Sequence, residues 1–467
     1  MKKNVLVLLV LVCFVNVCLA QKTKKASIPF PITDGHPSWI MQGNIYEVNV
    51  RQYTKEGTFN AFARHLDRLK SMGVQTLWFM PINPIGVVDR KGTMGSYYAV
   101  SDYTSVNPEF GTLNDWKSLV KQAHSKNLKV IIDWVPNHSS PDNGWITRHP
   151  DFYVIDAEGK PAVAFDWADT RQLDFKNPEM EDSMIAAMKY WITDTDIDGL
   201  RCDVAWNVPG SFWAKSIPQL KKIKSIFMLA EGDSSYLPLN GFDAVYPWHM
   251  FHTMEKVAKG ERPANSLDSV RRANDAMYPK NTIQMYFTSN HDENSWNKAD
   301  FGSFPGAVHA PFAVLTQTMA NGVPLIYGGQ EEPVLRALEF FEKDPINFDK
   351  YKREKFYKTL LSLRKRNEAL SPNASFRKVH AGNNQSVYAY ERAKGKKKVL
   401  VILNLSSKEH NISLEDNTLW GMAYNVFMGM PETVNAHSWK MEPWGYAVYE
   451  YGSTPVSEKQ SVRKKKK

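Results

Sequence analysis

An arginine and an aspartate two residues apart, Arg201 and Asp203, lie in the run Asp198-Gly199-Leu200-Arg201-Cys202-Asp203-Val204-Ala205. The run reads as a short buried strand. Successive side chains on a strand face opposite ways, so Arg201 and Asp203 share one face and Leu200 and Cys202 the other. A cation and a carboxylate at the end of an apolar strand are costly unless they pair, and a neighbouring arginine is expected to keep the acid ionised. An ionised, pre-aimed carboxylate is what a covalent nucleophile needs. Taken alone, the pair could equally be a structural ion pair; its partners elsewhere favour chemistry. Glu231 ends the run Met228-Leu229-Ala230-Glu231-Gly232, the next strand in order after the one bearing Asp203. Adjacent strands lie roughly 4.8 Å apart, so the two carboxylates can stand about 5 to 5.5 Å from each other. At that separation one attacks a sugar carbon while the other protonates the leaving oxygen. Asp292, at the end of a later strand, supplies a third carboxylate, and such crowding favours an acid that keeps its proton.

The elements that would position these groups repeat. Strands are expected at Asn44 to Val50, Thr76 to Met80, Val130 to Trp134, Gly199 to Asp203, Phe227 to Ala230, Ala244 to Tyr246, Gln284 to Thr288 and Leu325 to Tyr327. Most are short and almost wholly apolar, as strands covered on both faces are. Between them fall helical patterns. Phe59, Phe62, Leu66, Leu69 and Met72 recur at helical spacing before Gly73. Thr112 and Asp115 form a capping-box start for a helix carrying Trp116, Leu119, Val120 and Ala123. Further helices are expected at Glu179 to Thr193, at Pro311 to Met319 and around Phe356, Leu360 and Leu363. Eight alternating units imply an α/β fold, a parallel (β/α)8 TIM barrel with its site at the carboxyl ends of the strands. Asp133, Arg201, Asp203, Glu231, His291 and Asp292 all stand there.

The division expected from this pattern is a signal peptide at 1–20, an N-terminal extension at 21–38 and a catalytic barrel at 39–370. Residues 138–177 are too many for a simple loop and read as a short excursion domain inserted over the cleft. Short β-type runs from 371 to 453 read as a C-terminal β-sandwich, and 454–467 as a disordered basic tail. Lys2 and Lys3, the apolar run from Val5 to Val15 and the close at Cys18-Leu19-Ala20 mark the signal peptide. They imply a secreted or periplasmic protein. Val15-Asn16-Val17 is a poor lipobox, so acylation at Cys18 and a surface lipoprotein are the weaker alternative. Once the signal is removed, Cys202 is the sole thiol and no intrachain disulfide can form. The formal charge of +9 is concentrated in the tails; without those ten cations 48 basic side chains face 49 acidic ones. A near-neutral body gives no reason to expect nucleic acid as a partner, and nothing in the mature chain reads as a transmembrane segment. The 14 Trp, 20 Tyr and 23 Phe offer flat faces that suit sugar rings.

These motifs resemble those of the α-amylase family of glycoside hydrolases, family 13. Asp133-Trp134-Val135-Pro136-Asn137-His138 is similar to its first signature and Gly199-Leu200-Arg201-Cys202-Asp203 to its second; Glu231 and Phe287-Thr288-Ser289-Asn290-His291-Asp292 match the third and fourth. The segment from Gly95 to Asp102 resembles the stretch after the second strand. Trp145, His149-Pro150, Phe152-Tyr153 and Asp166-Trp167 resemble the small-excursion members, neopullulanase and cyclomaltodextrinase. The resemblance implies Asp203 as nucleophile, Glu231 as acid/base and Asp292 as transition-state stabiliser. It further implies that Tyr98 stacks on the sugar in the cleavage subsite and that Asp133, His138, Arg201 and His291 bind substrate or the nucleophile. The expected activity is retaining hydrolysis of α-glucosidic, chiefly α-1,4, bonds in malto-oligosaccharides or starch-like α-glucans. A transglycosylase on the same machinery and a non-catalytic glucan-binding protein are the rivals. The chemistry needs no cofactor. Asn137 and Asp174 stand where many members bind a structural calcium, but Trp206 and Asn207 replace the Lys-His pair common after the nucleophile, and two candidate ligands do not make a site.

Overall fold

The computed structural model describes residues 31–452. The expected signal segment, residues 21–30 of the extension and the basic tail lie outside the described residues.

Eight parallel strands close into a barrel in sequence order: β1 (Ile45–Val48), β2 (Thr76–Phe79), β3 (Lys129–Trp134), β4 (Gly199–Cys202), β5 (Phe227–Ala230), β6 (Ala244–Val245), β7 (Ile283–Tyr286) and β8 (Gly322–Tyr327). The period of two sorts their side chains. Leu77 and Phe79 of β2, Val130 and Ile132 of β3, and Leu200 and Cys202 of β4 pack outward under the helices. Trp78, Ile131, Phe227 and Leu229 fill the lumen. Arg201 takes the lumen face of β4, and its backbone is in register with Asp133 on one side and Leu229 on the other.

The covering helices are α1 (Leu66–Met72), α2 (Leu113–Ser125), α3 (Pro178–Thr195), α4 (Gly210–Lys221), α5 (Trp248–Ala258), α6 (Ser266–Met277), α7 (His309–Thr318) and α8 (Glu354–Arg366). Their ends follow local chemistry. Thr112 and Asp115 make the expected reciprocal capping box on α2. Gly73 ends α1 at φ +110°, where a Cβ would also stand 2.9 Å from that of Leu361. The first strand is shorter than expected. It stops at Val48 because the Asn49 side chain accepts from the Gln52 amide and opens a single helical turn, Val50–Tyr53. β6 and β7 likewise stop earlier than expected, and β8 starts earlier, at Gly322.

Between β3 and α3 the chain leaves the barrel. His138–Ser139 pairs antiparallel with Arg171–Gln172, flanking the short helix Gly144–Arg148. Asn143 donates to the Val100 carbonyl, tying this excursion to the loop after β2.

Eight further strands follow: β9 (Ser375–Val379), β10 (Val387–Lys394), β11 (Lys397–Asn404), β12 (His410–Ile412), β13 (Gly421–Asn425), β14 (Met430–Val434), β15 (Trp439–Met441) and β16 (Tyr446–Tyr451). Six form an antiparallel sheet in the order β9-β10-β11-β16-β13-β14, and β12 pairs with β15. Val387, Ala389, Leu400 and Ile402 pack against Ile412 and Met441 of the small pair. Tyr388, Tyr390, Val399 and Val401 point the other way, into one core with Leu315, Leu360 and Leu363 of the barrel helices.

Candidate active site

Arg201 is fully buried at the carboxyl end of the lumen. Its Nη1 donates to Asp133 Oδ1 at 2.9 Å and to Asp203 Oδ1 at 2.8 Å, its Nε to the Tyr246 hydroxyl at 3.2 Å, and its Nη2 lies 3.2 Å from Glu231 Oε2 without hydrogen-bond alignment. One guanidinium thus gathers three carboxylates from three adjacent strand ends. The barrel ladder carries on into the site: Asp203 N–H donates to Trp134 O, and Glu231 N–H to Cys202 O.

The expectation that Arg201 keeps Asp203 ionised is corrected. Burial, then the charge of Glu231, push the Asp203 carboxyl well above the usual range, and Arg201 only partly offsets them. The physical reason is sharing. Arg201 also serves Asp133, whose carboxyl burial raises to about 6. Asp203 is therefore the carboxyl on which crowding by Glu231 and Asp133 falls. The Val204 N–H donates to Glu231 Oε2 at 2.7 Å; with that oxygen facing both a donor and a cation, a proton on Glu231 belongs on Oε1. Val204 gives this bond from a left-handed backbone, φ +44° and ψ +36°, a strained conformation for a β-branched residue.

His291 joins the other wall. Its Nδ1 contacts Glu47 Oε1 at 2.5 Å, and its Nε2 lies 2.7 Å from the Tyr98 hydroxyl and 3.2 Å from Asp292 Oδ2. Burial works against its charge, but Asp292 and Glu47 outweigh burial and lift its pKa well above the ordinary value. Burial would raise Asp292; His291 reverses that and holds it below the usual range. Tyr98 also donates to Asp133 Oδ2 at 3.1 Å and stacks on His291. His138 differs: burial lowers its pKa to about 3, and its Nε2 has no hydrogen-bond partner among the described residues. The imidazole is thus held neutral, with the Tyr98 backbone only partly offsetting burial.

Tyr98, His138, Asp203, Glu231 and Asp292 line one cavity of about 660 Å3 with Trp167 and Phe340. Asp133, Arg201 and His291 are each in contact with one of these lining residues: Asp133 with Tyr98, Arg201 with Asp203 and His291 with Asp292. All eight residues singled out from sequence are thereby brought together. Sequence reasoning missed Glu47, Trp78 and Tyr246. Trp78 Nε1 donates to Asp133 Oδ2 at 3.2 Å; Glu47 and Trp78 sit inside strands and Tyr246 directly follows one, where only lumen-facing parity could have marked them. A larger groove, about 1280 Å3, lies at the opposite, amino end of the strands, around Trp39, His124 and Asp198. Asp198 there is paired with His124, Lys129 and Lys224, and no such convergence of acids faces that space.

Of the two candidate calcium ligands, Asn137 does not fit a cation. Asn137 Oδ1 accepts from Asn207 Nδ2 at 2.8 Å and Gln172 Nε2 at 3.1 Å, and Gln172 Nε2 also reaches the Asn137 carbonyl at 3.0 Å. Amide N–H groups, which repel a metal ion, occupy the oxygen a metal would use. Among the described residues no group of three or more His, Cys, Asp or Glu side chains is placed to hold a metal.

Comparison with known proteins gives a consistent picture. Residues 33–168 match the family profile "Alpha amylase, catalytic domain" and residues 387–444 match "Alpha-amylase SusG C-terminal domain". The α-amylase MalA of Haloarcula japonica is 26% identical over 402 residues, covering 82% of this chain and 58% of that protein. The cyclomaltodextrinase of Thermoanaerobacter pseudethanolicus is 27% identical over 395 residues, 77% of this chain and 65% of its own. This chain thus spans about three fifths of the length of these two relatives. Among solved structures, the maltogenic α-amylase AmyB of Thermotoga neapolitana superposes with a TM-score of 0.80 at 28% identity, covering 89% of this chain and 99% of that one.

Proposed function

The chain carries a catalytic domain of the α-amylase family of glycoside hydrolases, and on that premise we propose that it is a retaining hydrolase of α-glucosidic bonds in malto-oligosaccharides and related α-glucans. The observation that carries the proposal is the meeting of Asp133, Asp203 and Glu231 around one buried guanidinium, with Asp292 on the facing wall of the same cavity.

In the productive state a proton sits on Glu231 Oε1 and Asp203 is ionised. Glu231 passes that proton to the glycosidic oxygen as Asp203 attacks C1 from the opposite face, so the α-linkage becomes a β-linked glycosyl ester. Glu231, now ionised, takes a proton from water; the hydroxyl oxygen displaces Asp203, and the product regains the α configuration. Positive charge developing on the sugar ring is opposed by ionised Asp292, which the imidazolium of His291 keeps charged. Tyr98 offers its ring face to the sugar, and His138 a hydroxyl contact. No step passes through a metal.

The domain division, with the barrel at 39–370, is proposed from the order of strands and helices, and export from the N-terminal sequence. The Lys2–Ala20 pattern supports removal of the first twenty residues. N-terminal sequencing of the secreted protein should begin at Gln21, and a product still beginning at Met1 counts against export by that signal.

Digestion of maltoheptaose followed by proton NMR tests the reaction: first-formed products carry the α anomer, and Asp203→Asn lowers turnover by at least about a thousandfold with the fold intact. Initial β-anomeric products, or near-normal release of reducing sugar by that variant, contradict it.

A further inference from the structure

The groove at the amino end of the barrel, about 1280 Å3, holds more positive charge than its own acids neutralise. Among the described residues, six lysines and His124 line it against two carboxylates, Asp196 and Asp198. Burial opposes the charge of His124, but Asp196 and Asp198 lift its pKa to about 9, so it too is a cation at neutral pH. Lys129 and Lys224 pair with Asp198, and Lys221 reaches Asp243 at 3.0 Å. Lys70, Lys222 and Lys365 form no ion pair among the described residues. Burial, then the charge of Lys365, pull the Lys70 ammonium below its usual range, as two cations without a shared counter-charge do. Each of the three stands at the carboxyl end of a helix, α1, α4 or α8, whose dipole offers only about half a negative charge. The helix ends therefore leave an excess.

Neutral groups of the same wall are unsatisfied. Gln75 Oε1 and Ser225 Oγ are buried with no hydrogen-bond partner among the described residues, an expensive state for a polar atom. Gln75 leads into β2 and Ser225 into β5, and both side chains turn about their own single bonds. The indole of Trp39, edge-on to Phe227, adds a flat apolar face. The type of cation narrows the ligand. No arginine is among the described residues that line the groove, and a carboxylate is best held by the planar fork of arginine. Lysine is a point charge that commonly holds phosphate, while amide and hydroxyl groups suit a hydroxylated body attached to it. The chain's own ends carry Lys22, Lys24, Lys25 and the run Arg463 to Lys467, so they share the sign of the groove and do not complement it. We propose that this groove binds a sugar phosphate, with Lys70, Lys222 and Lys365 neutralising the phosphate and Gln75 and Ser225 meeting the hydroxyls. It shares no lining residue with the catalytic cavity, so binding there is independent of the glycosidase reading.

Isothermal titration of the full chain at fixed ionic strength tests this, with glucose 6-phosphate and inorganic phosphate as titrants. Glucose 6-phosphate should bind saturably and more tightly than inorganic phosphate, and an excess of maltose, which competes for the catalytic cavity, should not displace it. Replacing both exposed lysines, Lys222→Ala with Lys365→Ala, should weaken binding at least about tenfold, the loss expected for hydrogen bonds to a charged group. Gln75→Ala should erase most of the advantage of glucose 6-phosphate over inorganic phosphate. Both variants should keep wild-type activity on maltoheptaose and an unliganded unfolding midpoint close to that of the wild type, which separates lost binding from misfolding. No saturable binding, unchanged affinity in the lysine variant, or displacement by maltose overturns the proposed site. Equal affinity for the two phosphates overturns the sugar phosphate and makes the groove a site for free phosphate. None of these outcomes touches the hydrolase reading, which the digestion of maltoheptaose decides.

Discussion

Single side chains set the protonation pattern of the site. Five acids, Glu47, Asp133, Asp203, Glu231 and Asp292, surround one arginine and one histidine, so the cluster is short of positive charge, and burial holds the carboxyls of Glu47, Asp133 and Asp203 above the usual range. His291 illustrates the sign. Its folded-state pKa is raised, so its charged form contributes stability in full below about pH 6.5 and loses it as pH rises through the elevated value. Activity should fall along the same alkaline limb. Glu47→Gln removes one of the two carboxylates that raise His291 and should move that limb to lower pH in a kcat/KM profile; an unmoved limb would mean that another group titrates there. Val204 makes a second case. Replacing it by Gly relaxes the left-handed residue, worth about 1 to 3 kcal/mol, but removes a buried isopropyl group of similar worth, so the thermal unfolding midpoint should not rise. The replacement should also lower kcat, because the N–H that fixes Glu231 Oε2 is then loosely held. Asp203, Glu231 and Asp292 were legible from type and strand-end position. Glu47 was not: in Ile45-Tyr46-Glu47-Val48 it resembles any polar residue on a half-exposed strand, and only closure of the barrel turns it inward.

At the scale of elements, buried polar contacts at both ends of the strands hold the barrel in register. Asp198 enters β4 fully buried, accepts from the Val130 amide at 3.0 Å and pairs with His124 Nε2 at 2.7 Å, Lys129 and Lys224. It thereby ties α2, β3 and β4 together beneath the site. Burial would raise its carboxyl, but His124 and the lysines hold it below the usual range, so its contribution is present above about pH 3.9 and is lost on acidification. His124, lifted by Asp196 and Asp198 against burial to about 9, contributes below about pH 6.5 and is lost as pH rises through about 9. Asp198→Ala should cost roughly 3 kcal/mol or more by denaturant titration near pH 7, with less effect at pH extremes. At the other end the Asn137–Gln172–Asn207 amides anchor the excursion. Thermal midpoints with a chelator and with added calcium should coincide; a clear rise with calcium would show that a cation displaces the amides. The strand and helix pattern was readable because apolar runs and caps are local. The excursion's anchor was not, since its donors sit 35 and 70 residues from Asn137.

Over the whole molecule, the C-terminal sheet shares a core with the barrel. Arg392 of β10, fully buried, donates to the carbonyls of Thr318, Met319 and Ser371. Glu450 of β16 accepts from Arg366 and Asn367 at the end of α8. Arg392→Met leaves these carbonyls unpaired and should lower the unfolding midpoint while keeping one cooperative transition; two separated transitions would mean that the sheet unfolds independently. Alternation in Val387-Tyr388-Ala389-Tyr390 announced a two-faced strand. It could not reveal that the tyrosine face lies on α7 and α8, because either face of a sandwich can be the inner one. Barrel, excursion and sheet together hold in place a small constellation whose central event is a covalent bond to one carboxylate. That event can be observed by intact-protein and peptide mass spectrometry after incubation with a 5-fluoro-α-glycosyl fluoride, which forms the ester faster than water can release it. One added glycosyl unit on the peptide containing Asp203, missing in Asp203→Asn, is the predicted result; an adduct on any other residue, with Asp203 unmodified, contradicts the account.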